Sequence, residues 1–170
     1  MHARLLPFML LAALAGFAGV ATFAARTAAQ VQSNPADAAP GLFTPNMGDM
    51  MSILIQPRHA KLALAGKAEN WVLAGYVLKE LQQGFGTITK VIPRWKALPV
   101  SELVDAALKQ PFAAMDLVIK AGDTRQFGKT FDQITAGCNA CHATAEQSFV
   151  VIKTPDASAF PNQDFEPGRH

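Results

Sequence analysis

Apolar residues recur in alternating steps of three and four along much of the chain, which is the spacing of an amphipathic α-helix. The clearest runs are Ala74, Leu78, Leu81, Phe85, Ile88, Ile92 and, farther along, Phe127, Phe131, Ile134, Cys138, Cys141, Ala145. No segment shows the sustained alternation of apolar and polar residues that is typical of a half-buried strand. The pattern predicts an all-α protein. Four helices with short connections further predict an antiparallel four-helix bundle.

Capping residues and prolines divide this pattern into four predicted helices. Helix one is expected to begin at Thr44-Pro45 and to end near Gly66, with a kink at Pro57 because proline lacks a backbone donor. The others are a second helix closed by Pro93, a third from Ser101 to Gly122 that is split or broken at Pro111, and a fourth that begins at Asp123.

The first 29 residues have the order of a cleaved signal peptide. A short basic start with Arg4 precedes an almost wholly apolar run from Leu5 to Ala25, and small residues follow as far as Ala29. We expect cleavage near Ala29 and export to an oxidising compartment, the periplasm. Because the apolar run is also long enough to span a bilayer, an uncleaved membrane anchor is the alternative.

The part of the chain after the leader suits one domain, since about 140 residues can bury a single core. Residues 30–43 contain several helix breakers and no periodicity, so we expect a flexible lead-in before a bundle at residues 44–153. The tail, residues 154–170, is rich in Pro, Asp and Asn and is expected to extend over the surface.

Net charge argues against a nucleic-acid partner. The chain has 15 Lys and Arg against 13 Asp and Glu, but Arg4 and Arg26 both lie in the leader. Subtracting these two leaves 13 positive against 13 negative side chains after cleavage. The basic surface that phosphate binding requires is therefore not expected.

Residues 138–142 read Cys-Asn-Ala-Cys-His, which is the attachment motif of c-type haem. Residues three and four apart share a helical face, so Cys138, Cys141 and His142 project together. The two thiols can add to the porphyrin vinyl groups as thioethers, while an imidazole nitrogen of His142 binds the iron from one side. The motif predicts one covalent haem c with His142 as an axial iron ligand.

Two other interpretations of the cysteine pair are weaker. A structural disulfide or a thioredoxin-like redox pair could use this spacing, but the redox motif is expected near a βαβ pattern, which the sequence lacks. A zinc site needs a fourth ligand besides two thiolates and one imidazole. His59 could supply that ligand, yet nothing in the sequence pairs it with the motif.

The order of these features resembles class II c-type cytochromes, the family of cytochrome c′ and its low-spin relatives. The resemblance covers Thr44 to Phe149 and rests on a haem motif near the end of the last of four helices. A narrower likeness, to a group of bacterial cytochromes related to that class, rests on the strings MSILIQPRHAKL from Met51, Asn70-Trp71, and FPNQDF from Phe160. It implies a cofactor but no particular partner.

Chain order in such a bundle brings the start of helix one to the haem, where Met47, Met50 and Met51 lie. In the low-spin relatives a methionine there binds the iron, whereas in cytochrome c′ the sixth position is open. We expect Met51 to be the sixth ligand, because Met50 is turned roughly 100° away from it on a helix. His59, two turns farther along, is the second candidate.

Arg58 is a further candidate on the same predicted face. Met51 shares that face with Met47, Leu54 and Arg58 by helical steps of three and four. The forked donors of an arginine suit a carboxylate, so Arg58 is expected either to contact a haem propionate or to lie in solvent.

These features favour a periplasmic electron carrier, not an enzyme, that exchanges single electrons with redox partner proteins. The alternative is a protein of the cytochrome c′ type that binds nitric oxide or carbon monoxide at an open sixth site. A catalytic haem protein would need distal acid/base groups, and His59 is the one distal histidine candidate. The redox partner, the potential and the oligomeric state, a homodimer included, are left open by the sequence.

Overall fold

The computed structural model describes residues 45–168, and this part is mostly helical. The predicted signal peptide, its cleavage near Ala29 and the lead-in of residues 30–43 lie outside the described residues. No helix between residues 45 and 168 combines the length and the hydropathy that crossing a membrane requires. The predicted all-α class is confirmed by this helical content.

The described chain opens with three helical pieces that continue into one another. They are α1 (Met47–Met50), a π-helical segment (Met51–Ile55) and α2 (Gln56–Lys67). The remaining elements are α3 (Trp71–Val91), a hairpin of β1 (Arg94–Trp95) and β2 (Leu98–Pro99), α4 (Val100–Ala121) and α5 (Thr124–Thr144). The antiparallel hairpin, with Trp95 opposite Leu98, was not expected from the sequence.

The start of α1 corrects one prediction. The Asn46 side chain accepts a hydrogen bond from the Asp49 backbone N–H, and the Asp49 carboxylate accepts one from the Asn46 N–H, both at 3.0 Å. This reciprocal pair is a capping box, which satisfies two donors that a helix start leaves free. The helix therefore begins at Met47, and the prediction that Pro45 occupies its first position is wrong. Thr44, the predicted cap, lies outside the described residues.

The π-helical segment of the first helical stretch ends at Ile55, two residues before Pro57. In the π-helical segment the Gln56 N–H donates to the Met51 carbonyl oxygen, five residues back. Such a turn holds one more residue than an α-helical turn. Residues beyond Ile55 are therefore rotated by about 100° relative to a straight α-helix.

The predicted break at Pro111 is wrong, because α4 continues without interruption from Val100 to Ala121. Proline removes one backbone hydrogen bond and typically costs a helix interior about 3 kcal/mol. Four buried apolar side chains of α4 flank it: Leu108 precedes Pro111, and Phe112, Met115 and Ile119 follow it. Each contributes about 1.5–3 kcal/mol when buried, so packing outweighs the loss.

The helices contact one another in a closed order. α2 packs against α3, α3 against α4, α4 against α5, and α5 against α2. The predicted apolar faces meet in the core, where the buried side chains include Leu78, Leu81, Ile88, Phe131, Ile134 and Cys138. Gly122, in a left-handed conformation, ends α4, and the Asp123 side chain caps α5, which places this boundary where the sequence predicts it.

The tail from residue 154 contains no helix or strand as far as residue 168. It lies against the α2 to α3 connection, where Asn70 Nδ2 donates to the carbonyl oxygens of Phe165 and Glu166 at 3.2 and 3.1 Å. Phe165 is buried, and the Lys61 ammonium lies 4.8 Å from the ring centre of Phe160. These contacts anchor a segment that the sequence alone predicts only as an extended surface tail.

Candidate functional site

A cavity of about 430 Å³ lies between the first helical stretch, the start of α4 and the end of α5. Its volume is within the range of small-molecule and cofactor sites, roughly 300–1,000 Å³. Most of its wall is apolar, with Trp95 from the hairpin and Val104 and Leu108 from α4 among the lining side chains. The polar groups are few, and they include the residues of the cysteine motif.

Cys138, Cys141 and His142 all line this cavity, on the one face of α5 that the sequence predicts. Burial, with a smaller contribution from repulsion by Cys141, raises the pKa of the Cys138 thiol to about 12. Burial also raises the pKa of Cys141. Both thiols are therefore neutral near pH 7.

Neutral thiols argue against a thioredoxin-like redox pair. A redox-active Cys-x-x-Cys pair has a lowered pKa, which a helix N-terminus provides, because the thiolate is the reactive species. Cys138 and Cys141 instead lie in the last turns of α5, where the negative end of the helix dipole disfavours a thiolate. Neither is in a disulfide.

The ring of His142 is held in one tautomer. Its Nδ1 lies 2.8 Å from the carbonyl oxygen of Val150. Because a carbonyl oxygen can only accept, Nδ1 carries the proton, and in the neutral ring Nε2 keeps its lone pair. A hydrogen bond of this kind is the usual partner of a metal-binding histidine, since it fixes the ring and makes the other nitrogen more basic.

Val150 reaches His142 because the chain folds back along α5 after that helix ends. Asn139 Nδ2 donates to the Ile152 carbonyl oxygen, and the Ile152 N–H donates to Asn139 Oδ1, both at 2.8 Å. Val150 and Ile152 consequently line the cavity. The contact of Asn139 with Ile152 cannot be predicted from the sequence, since nothing distinguishes Asn139 from a spacer between two cysteines.

The adjacent methionines have different surroundings. Met51 and Met47 line the cavity, whereas Met50 is only 6% exposed and belongs to the hydrophobic core. The structure therefore brings Met51 to the cavity with the cysteine motif, in the direction that the sequence predicts. Iron ligation by Met51 stays a prediction.

His59, the second candidate ligand, also reaches the cavity wall, although it lies two turns farther along the helix than Met51. Its Nε2 lies 2.9 Å from Thr135 Oγ1, and the Thr135 hydroxyl donates to the Phe131 carbonyl oxygen at 3.2 Å. Since the hydroxyl has a single proton, His59 Nε2 is the donor in their hydrogen bond and Nδ1 keeps the lone pair. Burial lowers the pKa of His59 to about 4, so its ring is neutral at pH 7.

Arg58 is not at the cavity. Its guanidinium donates to the Leu54 carbonyl oxygen at 2.6 Å and lies 3.4 Å from the Glu80 carboxylate on α3. The π-helical segment is the physical reason, because its extra residue turns Arg58 away from the face of Met51 and brings His59 onto it. Contact with a haem propionate, one of the two alternatives expected for Arg58, stays a prediction.

Gly137 allows α5 to approach α4 closely just before Cys138. A Cβ at this position would lie 2.5 Å from the Ala107 carbonyl oxygen and 2.8 Å from Leu108 Cδ2. Ala107 is also the residue whose carbonyl loses its helical donor, because Pro111 has no N–H. The small residue therefore lets the two helices lie close together beside the cavity.

Gly137→Ala is expected to lower the free energy of unfolding by about 1–3 kcal/mol, since the backbone of α4 must shift to admit the methyl group. Gly128→Ala is the control in the same helix, because nothing lies within 4 Å of the Cβ it would add. It should raise the free energy of unfolding by up to about 1 kcal/mol through helix propensity. Chemical denaturation of both variants measures the free energies of unfolding. An equal increase in both would contradict the close approach of α5 to α4 at Gly137.

Comparison with known proteins gives no match to any protein-family model, to any curated protein or to any solved structure. The cavity and the side chains that line it are therefore the features that bear on function.

Proposed function

We propose that this protein is a periplasmic monohaem c-type cytochrome that carries electrons. One observation carries the proposal: Cys138, Cys141 and His142 lie together in the wall of a largely apolar cavity, and the hydrogen bond to Val150 leaves the Nε2 lone pair of His142 free. Two thiols and one imidazole nitrogen are the groups that attach a c-type haem.

The side chains present fit a covalently held haem c. Each neutral thiol can form one thioether, in which sulfur bonds to a vinyl carbon and the thiol hydrogen passes to the neighbouring carbon. His142 Nε2 would be an axial iron ligand, and the apolar wall would exclude water. A bound haem supplies an iron that changes between the ferric and ferrous states by one electron.

Met51 is the better candidate for the sixth iron ligand. Its thioether side chain is flexible, and Met51 lines the cavity. His59 Nε2 is occupied by the hydrogen bond to Thr135, so ligation by that nitrogen would break a buried interaction. His59 could still bind through Nδ1, and it stays the second candidate. Arg58 is not part of the proposal.

The helix contacts support the finer fold prediction. A closed order of contacts from α2 through α5 and back, with short connections, is what an antiparallel four-helix bundle requires. The resemblance to class II c-type cytochromes is proposed on this basis together with the position of the motif near the end of α5. Location in the periplasm is proposed from the leader sequence.

The full-length protein, produced in a bacterium that attaches haem c, tests the proposal. The purified chain should exceed its polypeptide mass by one haem, and its iron should be reduced and reoxidised reversibly. Its ferric spectrum should contain a methionine-sulfur charge-transfer band, and the ferrous form should not bind carbon monoxide. A chain without covalent haem would overturn the proposal, and a high-spin iron that binds carbon monoxide would replace the electron carrier with a gas-binding protein.

A further inference from the structure

We infer that Asn139 is a positioning residue that holds the Val150 carbonyl on His142 and thereby sets the reduction potential of the haem. This inference rests on the proposed function. Asn139 itself would touch neither the iron nor an electron partner, and it acts through the hydrogen bond of the axial histidine.

The two ends of the Asn139 amide bind one residue of the returning segment. Its nitrogen donates to the Ile152 carbonyl oxygen and its oxygen accepts from the Ile152 N–H, each at 2.8 Å. This pair of bonds is the one that a neighbouring β-strand would make. Ile152 is thereby held beside α5, only two residues after Val150.

Between Phe149 and Val151 the returning segment has little side-chain packing to hold it. The side chains of Phe149, Val150 and Val151 are 78%, 42% and 73% exposed. The Val150 N–H donates to the Gln147 carbonyl oxygen at 2.9 Å, and the Gln147 N–H donates to the His142 carbonyl oxygen at 2.7 Å. These bonds tie the start of the turn to the end of α5, whereas the Asn139 bonds hold its far side at Ile152. Thr154 makes a hydrogen bond of 3.1 Å to Asp132, an exposed contact farther along the segment.

Asn139 and His142 are three residues apart on α5, so they lie on the same side of the helix. The segment that Asn139 holds at Ile152 is therefore the same segment whose Val150 carbonyl oxygen accepts the hydrogen bond from His142 Nδ1. Donation from Nδ1 makes Nε2 a stronger electron donor, which favours ferric over ferrous iron. Loss of this donation should raise the reduction potential.

The test compares three full-length haem-loaded proteins: wild type, Asn139→Ala and Thr154→Ala. In Asn139→Ala the ratio of ferric to ferrous iron at a fixed potential should fall roughly tenfold. For a one-electron couple this fall is a rise of about 59 mV in potential. Exchange of the His142 Nδ1 proton with water, followed by NMR of the reduced protein, should become at least tenfold faster. Thr154→Ala removes the hydrogen bond of the segment to Asp132 and should change neither quantity.

A second variant guards against misfolding of Asn139→Ala. Asn139→Asp keeps the acceptor for the Ile152 N–H and loses the donor, so its Nδ1 proton exchange should lie between wild type and Asn139→Ala. If both variants carry haem and their exchange and potential equal those of wild type, the turn alone holds Val150 and the inference is wrong. If wild type carries no haem, the proposed function fails, and proton exchange in the haem-free chain still decides whether Asn139 positions Val150.

Discussion

Replacement of Cys138 and Cys141 together by alanine is expected to abolish covalent haem attachment. Both thiols lie at the cavity beside His142, and no third cysteine exists in the chain to form a thioether. Haem staining after a denaturing gel should fall from a strong band to none, and the extra mass of one haem should disappear. Each single replacement should leave one thioether and therefore an intermediate band.

The matched control for the cysteine variants is Ala140→Ser in the same turn of α5. Ala140 is exposed and does not line the cavity, so this variant should keep its covalent haem. Cys138 is buried, so its truncation removes some packing. Circular dichroism checks the fold of the double variant, which should still be helical. A helical double variant that keeps its haem through denaturation would exclude thioether attachment at these residues.

Local signals explain which boundaries could be predicted from the sequence. Gly122 and Asp123 end one helix and cap the next through contacts within a few residues, so their types alone identify the boundary. Pro111 misled the prediction because its effect depends on distant residues. The burial of Phe112 and Met115 against other helices outweighs the missing hydrogen bond, and a local pattern does not contain that information.

The π-helical segment explains why the side of the cavity formed by the first helical stretch could be predicted only in part. Met51 precedes the extra residue, so its direction follows from ordinary helical steps. His59 and Arg58 follow it, and their directions are exchanged relative to a straight helix. The run of five residues from Met51 to Ile55 has no composition that marks a π-turn, so a π-helical segment cannot be predicted from it.

The side of the cavity formed by α5 could likewise be predicted only in part. The spacing of Cys138, Cys141 and His142 places three groups on one helical face without any knowledge of tertiary structure. The partner of His142 is eight residues away, at Val150, and reaches it only because Asn139 holds Ile152. Such a long-range pair of contacts is set by the folded chain, and side-chain spacing alone does not reveal it.

Met51→Ala should convert a low-spin iron into a high-spin iron that binds carbon monoxide, because the variant removes the proposed sixth iron ligand, a residue that lines the cavity. The methionine-sulfur charge-transfer band should disappear with it. The free energy of unfolding of the polypeptide should change less than for a core residue, since Met51 is only partly buried. Optical spectra of the ferric and the ferrous, carbon monoxide-treated proteins measure the change.

Met50→Ala is the matched control, and it should give the opposite result. Met50 is 6% exposed in the core, so its truncation should lower the free energy of unfolding by about 2–5 kcal/mol while the iron stays low-spin. His59→Ala separates the remaining alternative, because it removes the imidazole and the hydrogen bond to Thr135 without changing the methionine. If His59→Ala gives the high-spin iron and Met51→Ala leaves the spectrum unchanged, the haem has two histidine ligands. That result would mean that the residue brought to the cavity by the π-helical segment, and not the methionine before it, completes the coordination of the iron.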